Sequence, residues 1–194
     1  LAKKGFIGVE ELASLRKTGS RLQGHPDRVR MPIVEASTGS LGQGLSVGLG
    51  MALNAKYLDK LPYRTYVLLG DSEMAEGSVW EAMNLATHYK LDNLTAILDV
   101  NRLGQRGETM FGHKLNEYER RAQAFGWETY VIDGHDLPAI NKAYAHALAI
   151  KDKPVMIIAK TKKGKGVSFM EDKNDWHYRS PNEEQYQAAL AELS

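Results

Sequence analysis

The sequence contains no cysteine. Disulfides, thiolate metal sites and cysteine nucleophiles are therefore excluded, and such a composition suits a reducing cytoplasm, the expected location. No stretch approaches the ~20 apolar residues that span a bilayer, and Leu1 to Arg21 lacks the continuous apolar segment of a signal peptide. Charge of one sign is not in excess either. Twenty-five Lys plus Arg face 24 Asp plus Glu, a net of +1, so neither a broad nucleic-acid surface nor a membrane-lipid surface is expected. Internal repeats, low-complexity tracts and linkers are missing too. So is an initiator Met, which raises the expectation that residues precede Leu1.

What is present is the balance of a folded domain. Hydrophobic residues make up 43% and charged ones 25% of 194 residues, enough for one sizeable core and a single domain over 1–194. Residues 1–30 read as a peripheral segment, with one helical stretch near Val9 to Lys17 that sets Leu12 and Leu15 a turn apart. Thr38-Gly39-Ser40-Leu41-Gly42-Gln43-Gly44 is a glycine-dense turn feeding a helix of about four turns, with Leu45, Leu49, Ala52 and Leu53 at helical spacing. Apolar runs at Thr65 to Leu69, Leu94 to Val100, Thr129 to Ile132 and Val155 to Ala159 predict buried strands. Helices are predicted at Glu76 to Lys90, Leu115 to Phe125, Leu137 to Ile150 and Asn182 to Leu193. Strands alternating with helices predict an α/β domain with a mainly parallel, doubly wound sheet in three layers and right-handed crossovers.

Ligands of open parallel sheets gather outside the carboxyl ends of the strands. Two such ends carry Asp71 and Asn101, a carboxylate and an amide oxygen suited to Mg²⁺ or Ca²⁺, with a bridged diphosphate to complete the shell. The helix starting near Ala75 would aim its free N–H groups at an anion there. The plainer alternative is open at this point: an N-cap for Asp71 and a turn residue for Asn101. A third strand end carries Lys160-Thr161-Lys162-Lys163-Gly164-Lys165-Gly166, either a solvated edge or a mobile lid that brings one lysine to a phosphate. No G-x-G-x-x-G occurs, which removes support for a nucleotide-dependent oxidoreductase. His88 and His146 read as surface or packing residues and His113 and His135 as loop residues without a nameable partner. His25 and His177 are the candidate catalytic histidines.

Gly70-Asp71-Ser72-Glu73-Met74-Ala75-Glu76-Gly77-Ser78-Val79-Trp80-Glu81-Ala82, followed by Leu98-Asp99-Val100-Asn101-Arg102-Leu103-Gly104-Gln105, resembles the thiamine diphosphate motif of transketolases. The similarity runs from about His25 to His177, through the glycine turn and the lysine loop. Its wording is closer to transketolase than to deoxyxylulose phosphate synthase, and most similar to the N-terminal subunit of a split transketolase.

The resemblance implies the thiamine diphosphate-binding fold. It implies that Asp71, Asn101 and the Leu103 carbonyl hold Mg²⁺, with Ca²⁺ a possible substitute. Ser72 would lie beside the diphosphate, and Gly39, Ser40 and Leu41 would line the cofactor. Lys163 and His177 match positions near the diphosphate and substrate, and His25 one that contacts the donor sugar. Glu76 matches a glutamate of the subunit-interface carboxylate network, while Gln105 falls near the cofactor. Ser72 departs from the usual Gly-Asp-Gly and adds a Cβ where backbone approaches phosphate. The glutamate that activates the cofactor is missing, so a C-terminal transketolase subunit is expected to supply it, two copies of each, and this chain alone is expected to be inactive. The implied activity is transfer of a two-carbon ketol unit between sugar phosphates. A catalytically silent binding subunit is the alternative.

Overall fold

Short runs of β-branched and aliphatic residues, bounded by turns, form strands that are buried on both faces when helices cover a parallel sheet. The computed structural model describes residues 1–194 and places four strands in one sheet: β1 (Thr65–Gly70), β2 (Leu94–Val100), β3 (Glu128–Asp133) and β4 (Val155–Lys160). Their order is β1-β2-β4-β3, with every neighbouring pair parallel. Position in the sheet decides the burial pattern. Central β4 is buried from Val155 through Ala159, whereas edge strand β1 alternates buried and exposed residues.

Five α-helices accompany the sheet: α1 (Gln43–Leu53), α2 (Gly77–His88), α3 (Leu115–Ala124), α4 (Leu137–Ala149) and α5 (Glu183–Glu192). A π-helical turn, Asn54–Leu58, extends the first of these, which accounts for the expected four turns. Leu45 and Leu49 of α1, Val79 and Met83 of α2, and Tyr118 and Ala122 of α3 join the inner residues of β1, β2 and β4 in the main core. Ala143 and Ala147 of α4 pack on Val155 and Ile157 in a second, smaller core across the sheet. The result is the three-layer α/β arrangement expected from the sequence. The thinner cover on the α4 side leaves Leu68 of edge strand β1 71% exposed, beside a half-exposed Tyr66 that meets only the Tyr144 ring of α4 edge-on at 5.7 Å.

Helix ends follow local chemistry. The Asp136 side chain accepts the Ala139 N–H at 3.4 Å, with Pro138 in the first turn, and Asn182 and Gln185 form a reciprocal capping box at the start of α5. The helix expected at Val9 to Lys17 is corrected to a six-residue 3-10 turn, Val9–Ser14. Leu12 and Leu15 stay exposed, so the helical spacing met no surface to bury it, and short helices rarely hold without one. No helix is long and apolar enough to cross a membrane.

Register places the site. Gly70 pairs with Asp99, Val100 with Lys160, and Lys160 with Asp133, so the segments after β1, β2 and β4 all leave from one edge of the sheet.

Candidate active site

Asp71 opens a 3-10 turn, Asp71–Ala75, directly after β1. The cap of that turn is Gly70, so the N-cap reading of Asp71 fails. Only 4% of Asp71 is exposed, and its Oδ2 accepts the Arg102 N–H at 2.7 Å and the Thr109 hydroxyl at 3.0 Å. Burial raises its pKa, with neighbouring Asp99 pushing the same way, while the Thr109 and Arg102 hydrogen bonds pull against that rise. Both of those bonds use one oxygen. A buried carboxylate whose pKa burial raises is what a cation would relieve.

Asn101 follows β2, and its Oδ1 accepts the Leu103 N–H at 3.0 Å, as the turn reading expects. Arg102 next to it adopts a left-handed φ of 64° and gives its N–H to Asp71, bringing the peptide after Asn101 against that carboxylate. Buried Leu103 bridges back to Glu108, and Gly104 N–H donates to the Gly107 carbonyl at 2.7 Å. This hairpin-like loop, with Asp71 and Ser72, lines a cavity of about 410 Å³. Nowhere in the chain do three or more His, Asp or Glu side chains gather as a metal site. A cation here would therefore meet one carboxylate and neutral oxygens, leaving charge for a diphosphate to supply, a donor set that fits Mg²⁺. Ser72 sits in the 3-10 turn without positive φ, so a Cβ causes no backbone strain there.

The third strand end contributes Lys163 and His177. The Lys163 Nζ lies 2.7 Å from His177 Nδ1. Burial lowers the Lys163 pKa, while the nearby carboxylates of Asp71 and Asp99 oppose the fall. Burial, and then the Lys163 charge, lowers that of His177. A protonated amine can only donate, so Nδ1 accepts and the proton of a neutral His177 sits on Nε2. Asp99 itself accepts the Thr161 hydroxyl. Successive turns tie down the lysine loop: Asp172 N–H donates to the Lys163 carbonyl at 2.9 Å, Gly166 N–H to Glu171 at 3.1 Å, and Lys162 pairs with Glu171 at 2.9 Å. Arg102 reaches across to Asp172, and Asn174 donates to the Gln105 carbonyl at 3.2 Å, which fastens the second loop to the third.

The glycine turn meets the segment after β1 at Glu73 and Glu76. Gly39, at φ 149°, lies so close to His25 that a Cβ there would sit 2.8 Å from the imidazole Cδ2. Gly42, at φ 81°, would place a Cβ 2.5 Å from that of Glu76, the cap residue of α2. His25 with Gly39, and Glu76 with Gly42, are thus brought together. Ser40 is exposed and Leu41 is 41% exposed, its side chain open to a ligand.

Three residues of this neighbourhood escaped the sequence reading. Glu73, Thr109 and Asp99 all hydrogen-bond to parts of the site. Glu73 had a readable signal, a carboxylate three residues after the turn's cap at Gly70; Thr109 had none, lying 38 positions from its partner. His113 and His135, for which the sequence names no partner, find one in the fold: His113 Nε2 meets the Thr161 carbonyl at 3.1 Å, and Nε2 of His135 accepts the Lys162 N–H at 2.8 Å. His88 and His146 pack on Tyr89 and Tyr130 as expected.

The family model for the transketolase thiamine diphosphate binding domain matches residues 4–192. The chain belongs to the transketolase family. Mouse transketolase-like protein 2 is 52% identical over 173 residues, 89% of this chain and 27% of that protein, and human transketolase is 50% identical over 176 residues, 91% and 28%. Among solved structures, Campylobacter jejuni transketolase is similar with a TM-score of 0.85 and 35% identity, covering 94% of this chain and 29% of that one. Leishmania mexicana transketolase follows at 0.78 and 27%. The chain spans less than a third of the length of these relatives. Its sheet and helices are those of the thiamine diphosphate-binding fold.

Proposed function

We propose that this chain forms the diphosphate and metal side of a transketolase active site, transferring a two-carbon ketol unit from a ketose phosphate to an aldose phosphate. The observation that carries the reading is Asp71, a buried carboxylate with a raised pKa, set against the peptide after Asn101 and within reach of the Lys163 charge. Asp71, Asn101 and the Leu103 carbonyl would hold Mg²⁺, or Ca²⁺ in its place. Thiamine diphosphate, when bound, supplies an electron sink for the cleaved carbon–carbon bond.

The residues of the chain have separable tasks. Lys163 neutralises negative charge at the diphosphate. Gly39, Ser40 and Leu41 let the cofactor come close, and Ser72 flanks its diphosphate. His177 presents Nε2–H, and with His25 it hydrogen-bonds donor-sugar oxygens as charge builds on them. Glu76 joins a carboxylate network where subunits meet. A C-terminal transketolase subunit contributes the activating glutamate, two copies of each chain making a heterotetramer in the cytoplasm.

Calorimetric titration with thiamine diphosphate and Mg²⁺, with and without the C-terminal subunit, tests the reading, followed by assay on a panel of ketose and aldose phosphates. Binding and ketol transfer by the pair are expected. Transfer by the chain alone would refute the two-subunit assignment, and a pair that binds nothing would point to a silent binding subunit.

A further inference from the structure

The glycine turn and the end of β1 are distant in sequence, and one side chain joins them. Glu73 Oε1 accepts the Gly42 N–H at 3.0 Å, across 31 positions, and its Oε2 accepts the Gly70 N–H at 2.8 Å. The Gly42 peptide is gripped from its other end as well, since the Ser78 hydroxyl donates to its carbonyl at 3.1 Å. Gly42 lies at positive φ against Glu76, a place where the backbone has little freedom to adjust. Hydrogen bonds to an ionised acceptor are the stronger kind, and a carboxylate is the side chain able to take two backbone donors on two oxygens at once. These two N–H groups engage both oxygens of the carboxylate.

We propose that Glu73 is a positioning residue: by clamping Gly42 to Gly70 it holds the glycine turn at a set distance from Asp71, and so sets affinity for thiamine diphosphate without touching it. This rests on the cofactor reading above, but the clamp can be tested without cofactor.

In the full protein carrying this sequence, Glu73→Ala and Glu73→Gln are compared with the parent by amide hydrogen exchange at Gly42 and Gly70 and by titration with thiamine diphosphate and Mg²⁺. Alanine should speed exchange at both glycines by about tenfold or more, and glutamine, with one carbonyl oxygen and a competing NH₂, should release one of the two. Cofactor affinity should fall in the order parent, glutamine, alanine, by roughly fivefold or more for alanine, with kcat at saturating cofactor within about twofold of the parent. Unchanged exchange at both glycines would show that no clamp exists. Faster exchange with unaltered or tighter cofactor binding would overturn the positioning role while leaving the proposed function standing. A parent protein that binds no thiamine diphosphate would instead defeat the cofactor reading itself.

Discussion

Removing the charge of Asp71 while keeping its hydrogen-bond acceptor should leave the ligand-free protein at least as stable while abolishing its hold on metal. The carboxylate is 4% exposed and accepts two buried donors on one oxygen. Asp71→Ala orphans the Arg102 N–H and the Thr109 hydroxyl at about 1–3 kcal/mol each, partly offset by relief of a buried charge, for a net loss of about 2–4 kcal/mol. At about 2–4 °C per kcal/mol for a chain of this size, Tm should drop roughly 5–15 °C. Asp71→Asn keeps a carbonyl acceptor for both donors and sheds the charge, so Tm near neutral pH should hold or rise by a few degrees. The sign with pH follows from burial. A carboxylate whose pKa is raised by folding favours the fold while protonated, below its ordinary value of about 3.9, and loses that contribution as pH climbs through the raised value. Parent and asparagine variant should therefore unfold alike near about pH 3 and diverge above it. Mg²⁺ with thiamine diphosphate at about 100 times Kd should add about 2.7 kcal/mol to the parent and nothing to Asp71→Asn. Thermal scans across pH, with and without ligands, read all of this. An asparagine variant as unstable at neutral pH as the alanine one would refute the claim that the charge is a burden held in readiness.

Two further outcomes follow from the neighbouring geometry. Gly39→Ala forces a Cβ within 2.8 Å of the His25 ring and strains a positive φ, so it should cost about 1–3 kcal/mol by urea denaturation and shift the His25 imidazole resonances; silent resonances would mean that the two residues do not touch. Lys163→Gln takes a cation away from His177, so the His177 pKa, followed by NMR, should rise toward the ordinary histidine range but not reach it, because burial, the larger cause of its depression, remains.

Most of the scaffold could be read from the sequence because burial and periodicity coincide there. Val155 to Ala159 is apolar throughout and proves to be a strand buried throughout, and the face read on the first helix, Leu45, Leu49, Ala52 and Leu53, is the one that packs. Val9 to Lys17 misled because two leucines a turn apart describe a face only if something lies opposite it. In the site, Asp71 and Asn101 stood out through their place at strand ends. The supports around Asp71 did not, since Thr109 reaches it from 38 positions away and the Arg102 contact is made by backbone, which no side-chain pattern encodes. The resemblance placed Lys163 and His177 near the diphosphate and substrate but gave no hint of their contact. Its distance, and the Lys163 charge that helps lower the His177 pKa, needed the fold.

The uneven cover of the sheet has a practical consequence for anyone producing this chain by itself. Leu68 stands bare next to a half-exposed Tyr66 on an edge strand, the combination of greasy side chains and unpaired backbone that invites two copies to zip together. Handling losses are expected to concentrate there. Leu68→Lys, on the thinly covered face of the sheet, is the change that would keep concentrated samples clear.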